Sequence, residues 1–124
     1  MRNEDVLARI HLNAVLSNLE ILAREDAQAL SIAGTWQGSI LLIAGLQGPS
    51  ATLEMKQGAV RVTPGRTGNT GIILFFPTAK MLNNLFTGAG RGFPVPLKGL
   101  FRIKGFKAFA GLAKRMETVL KSAD

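Results

Sequence analysis

The sequence predicts a single α+β domain over residues 1–124, built from a five-stranded, mostly antiparallel sheet flanked by helices. A chain of 124 residues that is 47% hydrophobic and 19% charged has the size and composition of one folded domain with its own core. Apolar residues follow a helical period near both ends of the chain and alternate with a period of two in the middle. Because the strands do not alternate strictly with helices, the predicted class is α+β.

The first thirty residues predict a helix with an unusually apolar circumference. Asn3 is a candidate N-cap, and Glu4 and Asp5 stand in the first turn, where the helix dipole favours anions. Such an apolar helix must be covered on more than one side. Either it breaks near residues 17–18, or it packs against a sheet and also against a partner subunit, which makes it a candidate homodimer interface. Gly34 ends the helical region.

The middle of the chain predicts strands. A continuous apolar run at residues 39–44 is typical of a strand that is buried on both faces. Residues 51–56 and 59–63 then alternate on either side of Gln57 and Gly58, which predicts a hairpin with a two-residue turn.

This hairpin turn predicts the register of its two strands. Met55 then faces Val60 on one side of the sheet, and Glu54 faces Arg61 on the other. We therefore interpret Glu54 as half of a cross-strand ion pair rather than as a catalytic acid.

The second half of the chain continues with a strand, a helix, a strand and a helix. Residues 71–76 predict the fourth strand, and Thr78 is the expected cap of the helix after it. Residues 99–104 predict the fifth strand, and an amphipathic helix follows from about Phe106. Its polar side carries lysines at seven-residue intervals, namely Lys107, Lys114 and Lys121.

The composition excludes several classes of protein. There is no cysteine, which excludes a disulfide scaffold, thiol catalysis and thiolate metal sites. The longest strongly apolar run, residues 40–44, is far shorter than the about 20 residues that span a bilayer. The N-terminus has no apolar segment behind a basic one, as a secretory signal would, so we expect a cytoplasmic protein.

No catalytic constellation is evident, and we expect a protein that is not an enzyme and holds no metal or cofactor. His11 is the single histidine and has no carboxylate four residues away, so we expect an ordinary surface or interface histidine. The glycine-rich residues 87–92 follow a helix and precede prolines, whereas a phosphate loop follows a strand and opens a helix.

The charge is unevenly distributed along the chain. Residues 1–54 carry a net charge of −3 and residues 55–124 a net charge of +10, within a total of +7. A basic half attracts anionic partners, either nucleic acid or an acidic membrane surface. Proteins that bind single strands expose aromatic residues within the basic groove, whereas Phe101 and Phe109 lie opposite the predicted basic face. This pattern does not favour nucleic-acid binding. Two alternative functions nevertheless stay open, a basic nucleic-acid-binding protein and a dimeric interaction module, neither of them with a lipid ligand.

The second half is also rich in phenylalanine, methionine and leucine. These residues form either an ordinary core or the lining of an apolar pocket, and periodicity does not separate the two.

Four segments carry a resemblance to a known family. They are TWQGSILL at 35–42, MKQGAVRV at 55–62, PTAKMLNNLFTG at 77–88 and LKGLFRIKG at 97–105. In this order and spacing they resemble the sterol carrier protein type 2 (non-specific lipid-transfer) family as a bacterial-type, stand-alone domain. The resemblance runs from about Trp36 to Leu120.

The resemblance implies a five-stranded sheet flanked by helices, with a hydrophobic tunnel between them and no catalytic residues. The tunnel would hold a fatty acyl, phospholipid or isoprenoid or sterol-like lipid, for binding or transfer within the cell. Carried over to this chain, the implied tunnel lining is Phe75, Leu82, Leu85, Phe86, Phe101, Ile103, Phe109, Leu112 and Met116. We expect the basic second half to attract an anionic membrane surface through Lys104, Lys107, Lys114, Arg115 and Lys121.

Overall fold

The computed structural model describes residues 3–66, 71–87 and 103–122, with the side chains of residues 85–87 left out. The helices are α1 (Asn3–Glu25), α2 (Ala27–Ala33), α3 (Ala79–Thr87) and α4 (Lys104–Ser122), and the strands are β1 (Gly38–Ala44), β2 (Ser50–Lys56), β3 (Ala59–Pro64) and β4 (Ile72–Phe76). The class is α+β, as predicted.

The four described strands form one mixed sheet in the order β3-β2-β1-β4. Strand β1 runs antiparallel to β2 and parallel to β4, so the predicted five-stranded, mostly antiparallel sheet is not matched. In this register Leu42 stands beside Leu74 and Ala44 beside Phe76. The parallel pairing thereby buries Leu74 and Phe76 on the same face as β1's core residues.

The predicted fifth strand is replaced in part by helix. Lys104 is the first residue of α4 and Ile103 lies in a bend before it, while residues 99–102 lie outside the described part of the chain. The helix begins this early because Gly105, Phe106 and Phe109 continue its buried face back to its first turn.

The hairpin of β2 and β3 confirms the predicted register. Glu54 pairs with Arg61 and Met55 with Val60, about a turn at Gln57, whose φ is 54°. The predicted ion pair is wrong, because within the described residues no salt bridge joins Glu54 to Arg61. Both side chains are exposed, and an exposed ion pair gains little over hydration.

The N-terminal helical region breaks at Asp26 and not near residues 17–18. Asp26 adopts an extended backbone, and its Oδ2 accepts a hydrogen bond from the Ala29 N–H at 2.9 Å. The aspartate thereby caps α2, and Gly34 ends α2 as predicted. The Thr78 hydroxyl likewise accepts from the Met81 N–H at 3.2 Å and caps α3, as predicted.

One hydrophobic core lies between the helices and one face of the sheet. Helix α1 faces it with every third or fourth residue, and α4 adds Phe106, Phe109 and Leu112. Strand β1 is buried along nearly its whole length, as predicted for a strand covered on both faces. Its Leu41 and Ile43 lie outside this core, because alternate residues point to the other face of the sheet.

By length and composition, helix α1 is long and apolar enough to cross a membrane. In its most apolar 18-residue stretch, 28% of the residues are buried inside the fold. This helix contains no long unbroken apolar run, because polar residues interrupt its apolar ones. Core helices of soluble proteins and N-terminal signal sequences pass the same criterion, so this helix does not decide where the protein resides.

Trp36 joins the sheet to α4. A methyl group built on Gly105 would lie 2.6 Å from Cζ2 of the Trp36 indole, which is closer than real atoms approach. The glycine therefore lets the first turn of α4 pack directly against the ring, and the single tryptophan of the chain reports on this contact.

We expect Gly105→Ala to destabilise the fold although alanine is the better helix former. The helix gains about 1 kcal/mol from the substitution, whereas overpacking against a rigid ring costs about 1–3 kcal/mol. We expect a lower melting temperature together with a shifted Trp36 emission, measured by thermal unfolding and fluorescence. A rise in melting temperature with unchanged emission would contradict the close contact.

Candidate functional site

Four of the nine residues assigned to the tunnel belong to the core. Leu82, Phe109 and Leu112 are buried, and Met116 is partly buried against the same cluster. Leu82 is on α3 and the other three are on α4, so the structure brings residues from both helices into one apolar layer.

Of the other five, Phe75 and Ile103 are exposed, and three lie outside the described residues or side chains. Phe75 is 44% exposed and Ile103 is 41% exposed. Phe75 alternates with the core residues Leu74 and Phe76 along β4, so it lies on the sheet face away from the helices. The side chains of Leu85 and Phe86, and the whole of Phe101, lie outside the described part of the chain.

A surface groove of about 750 Å³ lies between α2 and α4. Its volume falls within the range of small-molecule sites, about 300–1,000 Å³. It combines small or apolar residues with lysines, and its lining is Ile32, Thr35, Lys104, Lys107, Ala108, Ala110, Gly111 and Lys114. We call this feature the α2–α4 groove.

Small residues on α4 make the floor of the groove. A methyl group built on Gly111 would lie 3.2 Å from Cγ2 of Ile32, so the end of α2 approaches the backbone of α4 closely there. Ala108 and Ala110 continue this low surface on either side of the contact. The result is an apolar floor with little side-chain volume above it.

The rim of the groove is cationic. Lys104, Lys107 and Lys114 are exposed, and none of them takes part in the ion pairs found among the described residues. None of the described lining residues is acidic. Positive charge beside an apolar floor suits a ligand that has an anionic group and an apolar part.

Two other grooves in the described structure differ in charge. In the groove beside the β2–β3 turn, Glu20 accompanies Arg24 and Arg61. The groove at the start of α3 contains Glu4 and Asp5. Of these three grooves, the α2–α4 groove alone is lined by cations without a carboxylate, and we take it as the candidate site.

The basic residues predicted to face a membrane fall into two groups. Lys104, Lys107 and Lys114 line the groove, whereas Arg115 and Lys121 are paired with acidic side chains. Lys121 donates to Glu117 at 2.9 Å along the exposed end of α4, and this hydrogen bond lowers the pKa of the Glu117 carboxyl. The two paired residues therefore add less positive charge to the surface than the sequence suggests.

A clamp joins the α1–α2 junction to α4. Arg115 donates from Nε to Oδ2 of Asp26 at 2.8 Å and from Nη2 to Oδ1 at 2.9 Å. This geometry is bidentate, which is the stronger form of such a pair. The Arg115 guanidinium first, and the Ala29 N–H second, hold the pKa of the Asp26 carboxyl at about 2, below its usual value of 3.8.

His11 is an interface histidine, as predicted. Its Nδ1 lies 2.8 Å from Oδ1 of Asn83, which is buried between α1 and α3. The Asn83 amide in turn donates to the Glu4 carboxylate at 2.8 Å and to the Glu4 carbonyl at 3.0 Å. The sequence offered no local signal for this network, because Asn83 is more than seventy residues away from both His11 and Glu4.

Within the described residues, no group of three histidine, cysteine, aspartate or glutamate side chains is placed to hold a metal ion. No family model matches the chain, and no curated protein matches it. The resemblance to the sterol carrier protein type 2 family stays a prediction.

Proposed function

We propose that this protein is a non-catalytic, cytoplasmic carrier that binds or transfers a lipid with an anionic headgroup, of the fatty acyl, phospholipid or isoprenoid class. The α2–α4 groove receives the headgroup end of the ligand. The observation that carries the proposal is the set of three exposed lysines around an apolar floor, none of which forms a salt bridge with another described residue.

The charge and shape of the groove support this ligand class. A carboxylate or phosphate is attracted by Lys104, Lys107 and Lys114, while adjoining methylenes rest on the alanine and glycine surface of α4. Each methylene removed from water contributes about 0.8 kcal/mol. A purely anionic ligand would leave the apolar floor unused, and a purely apolar one would gain nothing from the lysines.

In this proposal α4 acts as a lid over the apolar layer beneath it. Phe109 and Leu112 are packed in the core, so a lipid tail enters between α4 and the sheet when α4 moves outward. The Asp26–Arg115 clamp holds the closed position. The tunnel of the resembled family would then form as the ligand enters.

The same lysines give the carrier a means of approaching a membrane. Cationic side chains near an anionic bilayer contribute about 1 kcal/mol each, and the three that line the groove lie on one helix. Contact with the bilayer would place the opening of the groove at the lipid surface.

The first test compares two ligands that differ only in the headgroup. We expect the purified protein to bind a long-chain fatty acid and to bind the matching fatty alcohol less tightly, measured by displacement of a fluorescent fatty acid. Native mass spectrometry with solvent extraction then identifies any lipid that is retained through purification. Equal affinity for acid and alcohol would contradict the role of the lysines, and failure to bind either would contradict the proposal.

Lysine variants connect the affinity to the groove. We expect the triple variant Lys104→Gln, Lys107→Gln, Lys114→Gln to weaken fatty-acid binding by roughly 3- to 150-fold, since exposed ion pairs contribute about 0.2–1 kcal/mol each. The matched control replaces three exposed cations elsewhere, Lys56, Arg66 and Lys80, by glutamine. An equal loss in the control would show that net charge and not the groove governs binding.

Nucleic acid is the competing anionic partner. The dependence of binding on salt concentration distinguishes nucleic acid from a lipid ligand. Binding of an oligonucleotide falls steeply with added salt because counterions are released. Tight binding of an oligonucleotide that the triple variant abolishes, without uptake of lipid, would overturn the proposal in favour of the nucleic-acid alternative.

A further inference from the structure

Helix α4 carries far more positive than negative charge. Between Lys104 and Ser122 it has five basic side chains and one acidic side chain. Helix α2, which forms the other wall of the α2–α4 groove, has no charged side chain. Among the described lining residues, α4 alone therefore sets the charge of the groove.

Two carboxylates lie against α4, and each is bound by a cation that does not line the groove. Glu117, the acidic residue of α4, accepts from Lys121 at 2.9 Å. Asp26 accepts from the two nitrogens of Arg115 at 2.8 and 2.9 Å. Lys121 first, and Lys114 through its charge alone, lower the pKa of the Glu117 carboxyl. These two pairs account for two of the five cations of α4.

The other three cations of α4 all line the groove. Lys104, Lys107 and Lys114 are exposed, and none of them forms a salt bridge within the described part of the chain. Lys104 and Lys107 are about one turn apart, and Lys114 follows Lys107 by about two turns, or about 10 Å along the helix axis. Gly111 lies between Lys107 and Lys114 and has no side chain to fill that interval. The positive charge is therefore spread along the groove.

The number and spread of these lysines determine which anionic headgroup suits the groove. A carboxylate carries one negative charge on two oxygens of the same carbon, so it neutralises one ammonium group. Bringing further ammonium groups to the same point adds repulsion between like charges. A phosphate monoester carries about −1.5 to −2 at pH 7 on three acceptor oxygens. A diphosphate carries still more charge on a longer group, which suits cations at both ends of the groove.

We propose that the ligand of the α2–α4 groove is an apolar tail with a terminal phosphate or diphosphate, in preference to a fatty acid. This inference rests on the proposed function and narrows its ligand class. Lys104 and Lys107 bind one end of the phosphate headgroup, and Lys114 binds the other. The first methylenes of the tail rest on the floor at Ala108 and Gly111.

Three ligands with tails of equal length test the preference. We expect affinity to rise in the order dodecanoic acid, dodecyl phosphate, dodecyl diphosphate, measured below their micelle concentrations by displacement of a fluorescent fatty acid. The diphosphate is expected to bind roughly 2- to 30-fold more tightly than the acid, the range for two further exposed ion pairs. Equal or tighter binding of the acid would overturn this inference and leave the proposed function standing. Binding of none of the three would overturn the proposed function itself.

Lysine variants assign the preference to the groove. In the double variant Lys107→Gln, Lys114→Gln one groove lysine is left, so we expect the ratio of diphosphate affinity to acid affinity to fall towards one. The matched control Lys56→Gln, Lys80→Gln removes the same charge from exposed positions elsewhere and is expected to keep the ratio. An equal fall in the control would overturn the inference, because net charge and not the groove would then govern the preference. Inorganic diphosphate that competes as well as dodecyl diphosphate would overturn the proposed function, because the tail would then contribute nothing.

Discussion

Phe106→Ala is expected to lower the free energy of unfolding by about 3–5 kcal/mol, the usual cost of removing a buried phenylalanine side chain. Phe106 is completely buried and lies in the first turn of α4, where it packs into the core beneath the sheet. The loss is a large fraction of the about 5–15 kcal/mol that stabilises a typical domain. Urea denaturation followed by circular dichroism measures it.

The matched control for this prediction is Leu120→Ala on the same helix. Leu120 is 64% exposed, so its truncation is expected to change stability by less than about 0.5 kcal/mol. The comparison separates core packing from any change in the helical propensity of α4. A loss below about 1 kcal/mol in Phe106→Ala would show that α4 is not anchored by this ring.

The Asp26–Arg115 clamp is expected to make stability depend on pH in the acid range. The folded-state pKa of Asp26 is lowered from 3.8 to about 2, so its contribution is fully present above pH 3.8. The contribution is lost as the pH falls from 3.8 towards about 2, because the carboxyl becomes protonated and the ion pair is broken. Wild-type protein is therefore expected to lose stability more steeply than Asp26→Asn across this window. Parallel melting curves at stepped pH measure the difference.

Substitutions at Asp26 and at Arg115 separate the two roles of Asp26. Asparagine retains an oxygen that can cap α2, whereas alanine removes both the cap and the clamp. We expect melting temperatures at neutral pH to fall in the order wild type, Asp26→Asn, Asp26→Ala. The double variant Asp26→Asn, Arg115→Gln should be little worse than either single variant, because each change breaks the same pair. Additive losses would show that the two residues act independently.

The clamp also bears on the proposed lid. If α4 moves outward to admit a lipid tail, Asp26→Asn is expected to take up a fluorescent fatty acid faster than wild type at neutral pH. Trp36 emission reports the position of α4 in the same experiment, since the indole lies against Gly105. Faster uptake with unchanged emission would place the entry route elsewhere.

Much of the local structure follows from the sequence. The two-residue turn at Gln57 and Gly58 set the register of β2 and β3, because a tight turn leaves no freedom to slip. The Thr78 cap and the buried run of β1 were equally predictable, since each depends on neighbours a few residues away. The seven-residue spacing of Lys107 and Lys114 already indicated a basic side of α4, which now forms part of the candidate site.

The tertiary structure alone decided which surfaces meet. Ile32 and Thr35 enter the groove because α2 ends beside Gly111, a contact between residues far apart in the sequence. The parallel pairing of β1 with β4 and the clamp between Asp26 and Arg115 likewise depend on the path of the chain between elements. Periodicity reports which residues of a helix or strand share a face, but it carries no information about the partner that covers that face. The many apolar residues of α1 therefore predicted a helix that is buried on two sides. In the fold, one side of α1 packs on the core and the other side is exposed.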